Sequence, residues 1–451
     1  MRLNNIQAVT YSVVIFISLL FTYSYLSSLF LIFTIILLLI NSKTNIIIKE
    51  LSILLLFYIP IFQWYILLYQ VNQNFKMVVL FKFILFIIIS ISVLNTKQIL
   101  KEIFKSILFL GLILLLIRTS VVSIINGELT SLVNYIANTY IPLFMMLSIF
   151  YFKQHISHFK SLFYNSFIIA LFILISLELY YLVIDFANNN DLTRLLNNLV
   201  FVARHGFEKH VELLGTAIGN IVFWRIPGIN MDVVFSGYLW ATIAYFLFLI
   251  KRYRFLIVIL VLFILIAVSK GALIFLFYLI YFDYLVKRKL KYITIFSFVF
   301  FNLLLIIISF STHTSGAVHV TGLIAPFTYP LDINYFIGYD FNGGNMSNLT
   351  TMSDKLYTGA ESFIGILKYH LGLFGVMLFL YLNVKIIKEN FRQNNIVSRY
   401  VAVMLISTLL VSFLQENVYN LSYIIIKLVV LYTIMSFYQI QRNKYANKNR
   451  K

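Results

Sequence analysis

The chain has 451 residues, of which 61% are hydrophobic and 11% charged, and its net charge is +19 at pH 7. A soluble globule carries about 25% charged residues, so a water-soluble fold is excluded and an integral membrane protein remains. The basic excess lies in short runs between apolar segments, which points to membrane orientation and away from nucleic acid, and the lack of cysteine excludes disulfides and thiolate metal sites.

A membrane-crossing helix needs roughly 20 apolar residues. On that rule the sequence predicts an all-α polytopic membrane protein of about 12–14 spans. The candidate segments are 7–23, 26–41, 51–70, 77–94, 107–125, 135–152, 167–186, 233–250, 255–268, 271–286, 293–310, 366–387, 400–416 and 419–438. The N-terminal stretch, which lacks a small-residue cleavage pattern, is expected to be a retained helix. If the N-terminus lies inside, the basic clusters Lys43/Lys49, Lys97/Lys101/Lys105, Lys153/Lys160, Lys251/Arg252/Arg254, 287–291 and Lys385/Lys388/Arg392/Arg399 all fall inside too. The two long polar stretches, Ala187 to Asp232 and Ser311 to Ala360, then both face outside. This divides the chain into an N-terminal bundle (1–186), a first outer loop (187–232), central helices (233–310), a second outer loop (311–360), C-terminal helices (361–440) and a basic tail (441–451).

In the first loop, Leu192, Leu195, Leu196, Leu199 and Val200 follow helical spacing, as do Phe207, Val211, Leu214, Ile218 and Val222. Two amphipathic helices lying on the membrane surface are expected there. The second loop, rich in Gly, Thr, Asn and Tyr, is expected to be more irregular.

Ionisable residues inside spans are costly and mark either structural pairs or function. Lys82, Arg118, Glu178 and Lys427 qualify, and all lie in the outer half of their helices. Arg118 and Glu178 share a depth at which they can pair. Asp283, near an inner helix end, reads as an interfacial anchor. Arg225 precedes the span at 233, Lys270 sits at the tip of a tight hairpin, and Arg204, Lys209, His205 and His210 lie in the loop above. Cations at such an interface suit a phosphate or pyrophosphate group. Lys270 reads alternatively as a snorkelling lysine and Arg225 as a helix-end cap. Further on, Glu361, Gly365, Lys368, Gly372 and Gly375 form one helical stripe, opposite Phe363, Leu367, His370 and Phe374. The stripe either packs closely against another helix or lines a groove with Glu361 at its mouth. His370, nearly opposite Glu361, reads as a core histidine. No metal-binding spacing, nucleotide-binding glycine loop or nucleophile elbow is present in the sequence.

Four stretches together carry a resemblance. They are RIPGINMDVVFSGY (225–238), AVSKGALI (267–274), HVTGLIAPFTYPLDINYFIGYDFNGGN (319–345) and ESFIGILKYHLGLFGV (361–376). In this order they resemble the bacterial O-antigen and capsule polysaccharide polymerases of the Wzy type, which are related to O-antigen ligases. Lys270 stands where that family often has Arg.

The resemblance implies a GT-C-like architecture with two large periplasmic loops, in a bacterial inner membrane, with the active site facing the periplasm. It implies a metal- and nucleotide-independent glycosyltransferase that needs no cofactor. The substrate would be an undecaprenyl-pyrophosphate-linked oligosaccharide, and membrane lipids and a chain-length regulator would be its other partners. On this reading Arg225, Lys270 and Arg204 hold pyrophosphate, with Lys368, Arg118 and Lys82 as further cations. Glu361 is the first candidate for the base, followed by His319 and His210. An O-antigen ligase and a lipid-linked oligosaccharide flippase are the alternative readings.

Overall fold

The structure, a computed structural model, describes residues 50, 53–61, 82–90, 106–153, 161–189, 193–194, 215–218, 221–224, 226, 228–230, 232–311, 315–343 and 356–448. Residues 53–61 and 82–90 are helical. The elements that follow are α1 (Ile107–Ile125), α2 (Leu129–Tyr135) running through a π-helical turn (Ile136–Tyr140) into α3 (Ile141–Tyr151), α4 (Ser161–Ala187), strands β1 (Gly215–Ile218) and β2 (Ile221–Trp224), α5 (Val233–Ile250), α6 (Arg254–Ile266), α7 (Lys270–Lys287), α8 (Lys291–Ser311), α9 (Ser315–Ile324), α10 (Ile333–Ile337), α11 (Phe363–Arg392), α12 (Ile396–Ser412) and α13 (Leu421–Lys448).

Among the described residues seven helices are long and apolar enough to cross a membrane, so the protein is a polytopic helical membrane protein. Helix is the expected solution, because lipid offers nothing to hydrogen-bond an open backbone. Three shorter apolar helices accompany them, Arg254–Ile266, Ala317–Phe327 and Ile396–Ser412. The segments expected at 7–23 and 26–41 lie outside the described residues. α1 and α5 begin and end where the hydropathy pattern places them. α11 starts and ends outside its expected limits, because Ser362 caps its first turn (Oγ accepts Gly365 N–H at 3.1 Å) and the polar Lys385–Arg392 stretch continues the helix.

The first outer loop departs from expectation. Its second amphipathic helix is replaced in part by an antiparallel hairpin, with Ile218 opposite Ile221 and Gly215 opposite Trp224. The sequence explains this: Gly219-Asn220 is a two-residue hairpin connection, and Thr216, Ile218, Ile221, Val222, Phe223 and Trp224 all favour strands. Of the expected first amphipathic helix only Thr193 and Arg194 are described. The second loop is more ordered than expected, since it contains α9, a 3-10 turn (Ala325–Phe327) and α10.

The chain forms two compact units. One comprises Met1–Leu94, Ser157–Leu276 and Ile425–Lys451. At its centre α5 is almost wholly buried and packs on α6, with Trp240 and Phe263 rings 5.2 Å apart. Gly237 lies against Ser269 and Ala272 at the start of α7, where a Cβ would have no room. The other unit comprises Asn95–Ile156 and Phe277–Ile424. Here α11 is the hub, touching α1, α9, α10 and α12. α8 turns an apolar face outward (Tyr292, Phe296, Leu303, Ile307), which suits contact with lipid chains. Asp283 on α7 pairs with Arg399 on α12 at 2.9 Å, so the expected anchor is an ion pair.

Candidate functional site

In the second unit, small residues bring two sequence-predicted groups together. A Cβ on Gly322 of α9 would collide with the carbonyl of Ala360, and one on Gly365 of α11 with the carbonyl of Gly322. Two backbones can meet this closely only where side chains are missing. α9 therefore lies directly on the turn entering α11. His319, almost one turn before Gly322, comes over Glu361: its Nδ1 is 3.4 Å from Glu361 Oε2 and 3.2 Å from the Glu361 carbonyl oxygen. A carbonyl only accepts, so Nδ1 carries the hydrogen. Both side chains are about a quarter exposed, at 27% and 24%. The pair therefore meets solvent while standing on a buried helix entry.

Glu361 itself precedes α11 and is not part of its stripe. Its φ is +71°, a left-handed conformation that costs a non-glycine residue about 1 kcal/mol or more and that gathers at functional sites. The turn is held from below, as Glu361 N–H donates to Glu416 Oε2 at 3.1 Å. Glu416 sits just before the 3-10 turn Asn417–Tyr419, which is pinned by the buried Tyr419 ring 4.5 Å from that of Phe363. Burial, and then the charge of Glu361, push the Glu416 carboxyl up to about 7, while the Glu361 N–H works in the opposite direction. Sequence reasoning missed Glu416, which falls at the very end of an apolar segment with no local pattern around it.

The rest of the expected stripe is split. α11 breaks at Gly372 (φ +70°, ψ −176°), where the backbone of Phe336 and Ile337 occupies the space a Cβ would need. Gly365 bears out the close-packing reading of the stripe. Lys368 is fully buried, with Nζ 3.6 Å from the centre of the Tyr335 ring and 5.7 Å from that of Phe327; no hydrogen-bond partner meets its ammonium among the described residues. His370 is a core residue, as expected: Tyr140 Oη lies 2.8 Å from Nδ1, and Nε2 lies 3.2 Å from the Gly343 carbonyl.

Arg118, expected to pair with Glu178 of the first unit, belongs to the second. Its guanidinium holds the second loop instead, donating to the carbonyls of Gly338 and Tyr339 (2.9 Å for the latter) and to Asn334 Oδ1 at 2.6 Å. Around this anchor the rings of Tyr339 and Tyr369 stack (centroids 5.2 Å, 18°), with Tyr329 against both.

In the first unit, Glu178 of α4 accepts Ile229 N–H at 2.9 Å. Gly228, at φ +70°, lies so close to this carboxylate that no side chain fits. Arg225, Arg204 and His210 lie outside the described residues. The residue after Arg225 is described: Ile226 N–H reaches the carbonyl of Ile266 at 3.5 Å, four positions before Lys270. Lys270 is exposed at the first position of α7, whereas Lys82 is buried.

Comparison with known proteins gives no match to a family model, to a curated sequence or to a solved structure.

Proposed function

We propose that this protein is a polysaccharide polymerase, which transfers a glycan chain from its undecaprenyl pyrophosphate carrier to a new lipid-linked repeat unit at the outer face of a bacterial inner membrane. The contact between His319 and Glu361 is the observation that carries this reading. Two candidates for the base, from two parts of the sequence, share one position about a quarter exposed at the entry to a buried helix. The charge rule puts Glu416 on the same side as both long loops.

In such a transfer the anomeric C–O bond breaks as the acceptor hydroxyl attacks, and charge collects on the departing pyrophosphate. Fixed cations at that group lower the barrier. Arg225 and Lys270 are the proposed holders; Ile226, the residue after Arg225, bonds through its N–H to the Ile266 carbonyl, four positions before Lys270. The acceptor hydroxyl needs a base, which contributes about 10²–10⁴-fold. Glu361 is that base. His319 Nδ1–H faces Oε2 and orients the carboxylate, leaving Oε1 for the hydroxyl.

The test is a deletion strain complemented with Glu361→Gln, with membrane levels matched. Polymer formation should fall by about 100-fold or more, leaving single repeats. Normal chain lengths would sink the assignment. Uncapped core with accumulated lipid-linked polymer in the deletion strain would favour a ligase instead.

A further inference from the structure

Lys368 lies about 9 Å along α11 from the Ser362 cap, on the side that the second loop covers. Its side chain is fully buried, and among the described residues no hydrogen-bond partner meets Nζ. An ammonium that snorkels ends in water, and this one does not. One that only fills space is outdone by Met or Leu, because a charge taken out of water without a partner is strongly unfavourable. The contacts it does have are with rings, Tyr335 centred 3.6 Å from Nζ and Phe327 at 5.7 Å. Both rings are themselves only part-buried, so the ammonium lies one ring below the surface.

The negative face of a ring is a weak substitute for an anion, since charge-assisted hydrogen bonds to a carboxylate are stronger than a cation–π contact. Tyr335 can give way. It stands on the five-residue helix α10, and among the described residues its hydroxyl is held only by a 3.5 Å contact with the Phe327 carbonyl. The neighbouring charges decide which anion fits. Arg118 is committed to the carbonyls of Gly338 and Tyr339 and to Asn334, and Asp332 and Asp340 bear on it. Asp332 also bears on Lys368 from the N-cap of α10, where its Oδ1 accepts Tyr335 N–H at 2.8 Å. A pyrophosphate carries two or more charges and would meet a single uncommitted cation beside two carboxylates. A lone carboxylate matches the one ammonium.

We propose that Lys368 anchors a subsite for an acidic sugar: its ammonium takes the carboxylate of a uronic acid in the glycan, and the Tyr335 ring is the resting partner that swings aside. The inference rests on the polymerase reading for the glycan, and it moves Lys368 from pyrophosphate binding to recognition of the sugar. Repeat units that carry a uronic acid are the substrate class it fits. Gly372, against which the backbone of Phe336 and Ile337 packs, holds α10 in place over the ammonium.

Thermal unfolding of the full-length protein in detergent tests this, with sodium glucuronate, glucose or inorganic pyrophosphate added and sodium chloride matching the ionic strength throughout. Glucuronate should raise the unfolding midpoint of the parent by about 1–3 °C at ten times its half-saturating concentration, and glucose should not. Lys368→Met, which keeps the length of the side chain, should lose that response. A response kept in Lys368→Met, or none in the parent, overturns the proposal. A pyrophosphate response that exceeds that of glucuronate and disappears in Lys368→Met overturns the carboxylate assignment. Should Lys368→Met fail to fold, Tyr335→Leu decides. With the resting partner gone, the half-saturating glucuronate concentration should fall by about 3–10-fold, and an unchanged or higher value overturns the proposal. The melt reads binding without the reaction. Normal polymer in Glu361→Gln would therefore sink the polymerase reading and leave the glucuronate response in place.

Discussion

Each unit of the protein places a carboxylate against the amide of a left-handed turn. In the first, Glu178 accepts Ile229 N–H beside Gly228, at φ +70°. In the second, Glu416 accepts the N–H of Glu361, at φ +71°. The devices match, but the turn residues do not. Gly228 adopts its conformation at no steric cost and offers no side chain, so Glu178 reads as a clamp on the segment that follows Arg225. Glu361 adopts the same conformation at a cost and carries the carboxylate that meets His319. Strain kept where a glycine would avoid it is the stronger pointer to function.

The largest effect is expected at the clamp without a functional side chain. Gly228→Ala adds a left-handed alanine, about 1 kcal/mol, to an overlap with a buried carboxylate worth about 1–3 kcal/mol. Thermal unfolding in detergent should show a clear drop in midpoint and lower membrane yield. A midpoint matching the parent would mean that Glu178 gives way easily and does not hold the turn. Next in size is a pH effect at the other clamp. The Glu416 carboxyl is raised from 4.5 to about 7 in the folded protein. The folded state therefore holds a proton that the unfolded chain releases, so this group's contribution is fully present below about pH 4.5 and is lost as pH rises through 7. After allowance for screening the loss is about 2 kcal/mol. Glu416→Gln should flatten that part of the stability profile, and a profile identical to the parent would place the carboxylate in water.

Much of the membrane architecture was legible, because hydropathy alone sets where α1 and α5 begin and end. Glu361 and His319 were legible as individual candidates, each marking polar sequence beside a span. Their contact across 42 positions was not, since it depends on Gly322 and Gly365 letting two backbones touch. Lys368 was legible as an oddity inside an apolar helix, while its aromatic surroundings come from Tyr335 and Phe327 in a loop that periodicity does not describe. The hold of Arg118 on the second loop was not legible, because depth along a helix says nothing about which backbone carbonyls a folded loop will bring to it. The hairpin at 215–224 was misread because apolar residues at helical spacing also satisfy a short strand pair, and the Gly-Asn connection was the signal that distinguishes them.

The smallest expected effect separates strain from chemistry at Glu361. Glycine is ordinarily less stable than alanine, by about 0.5–1 kcal/mol, because it has more freedom to lose on folding. At φ +71° the order should reverse. Glu361→Ala keeps the Cβ that the left-handed turn opposes, whereas Glu361→Gly removes it, and both delete the carboxylate that meets His319. The glycine variant should therefore be the more stable of the two by about 0.5–1 kcal/mol, while neither makes polymer. Paired melts of the two proteins at one pH measure this directly, with the lost side chain common to both. An alanine variant as stable as the glycine one would show that the turn at Glu361 relaxes freely, and the contrast with Gly228 would then rest on the side chains alone.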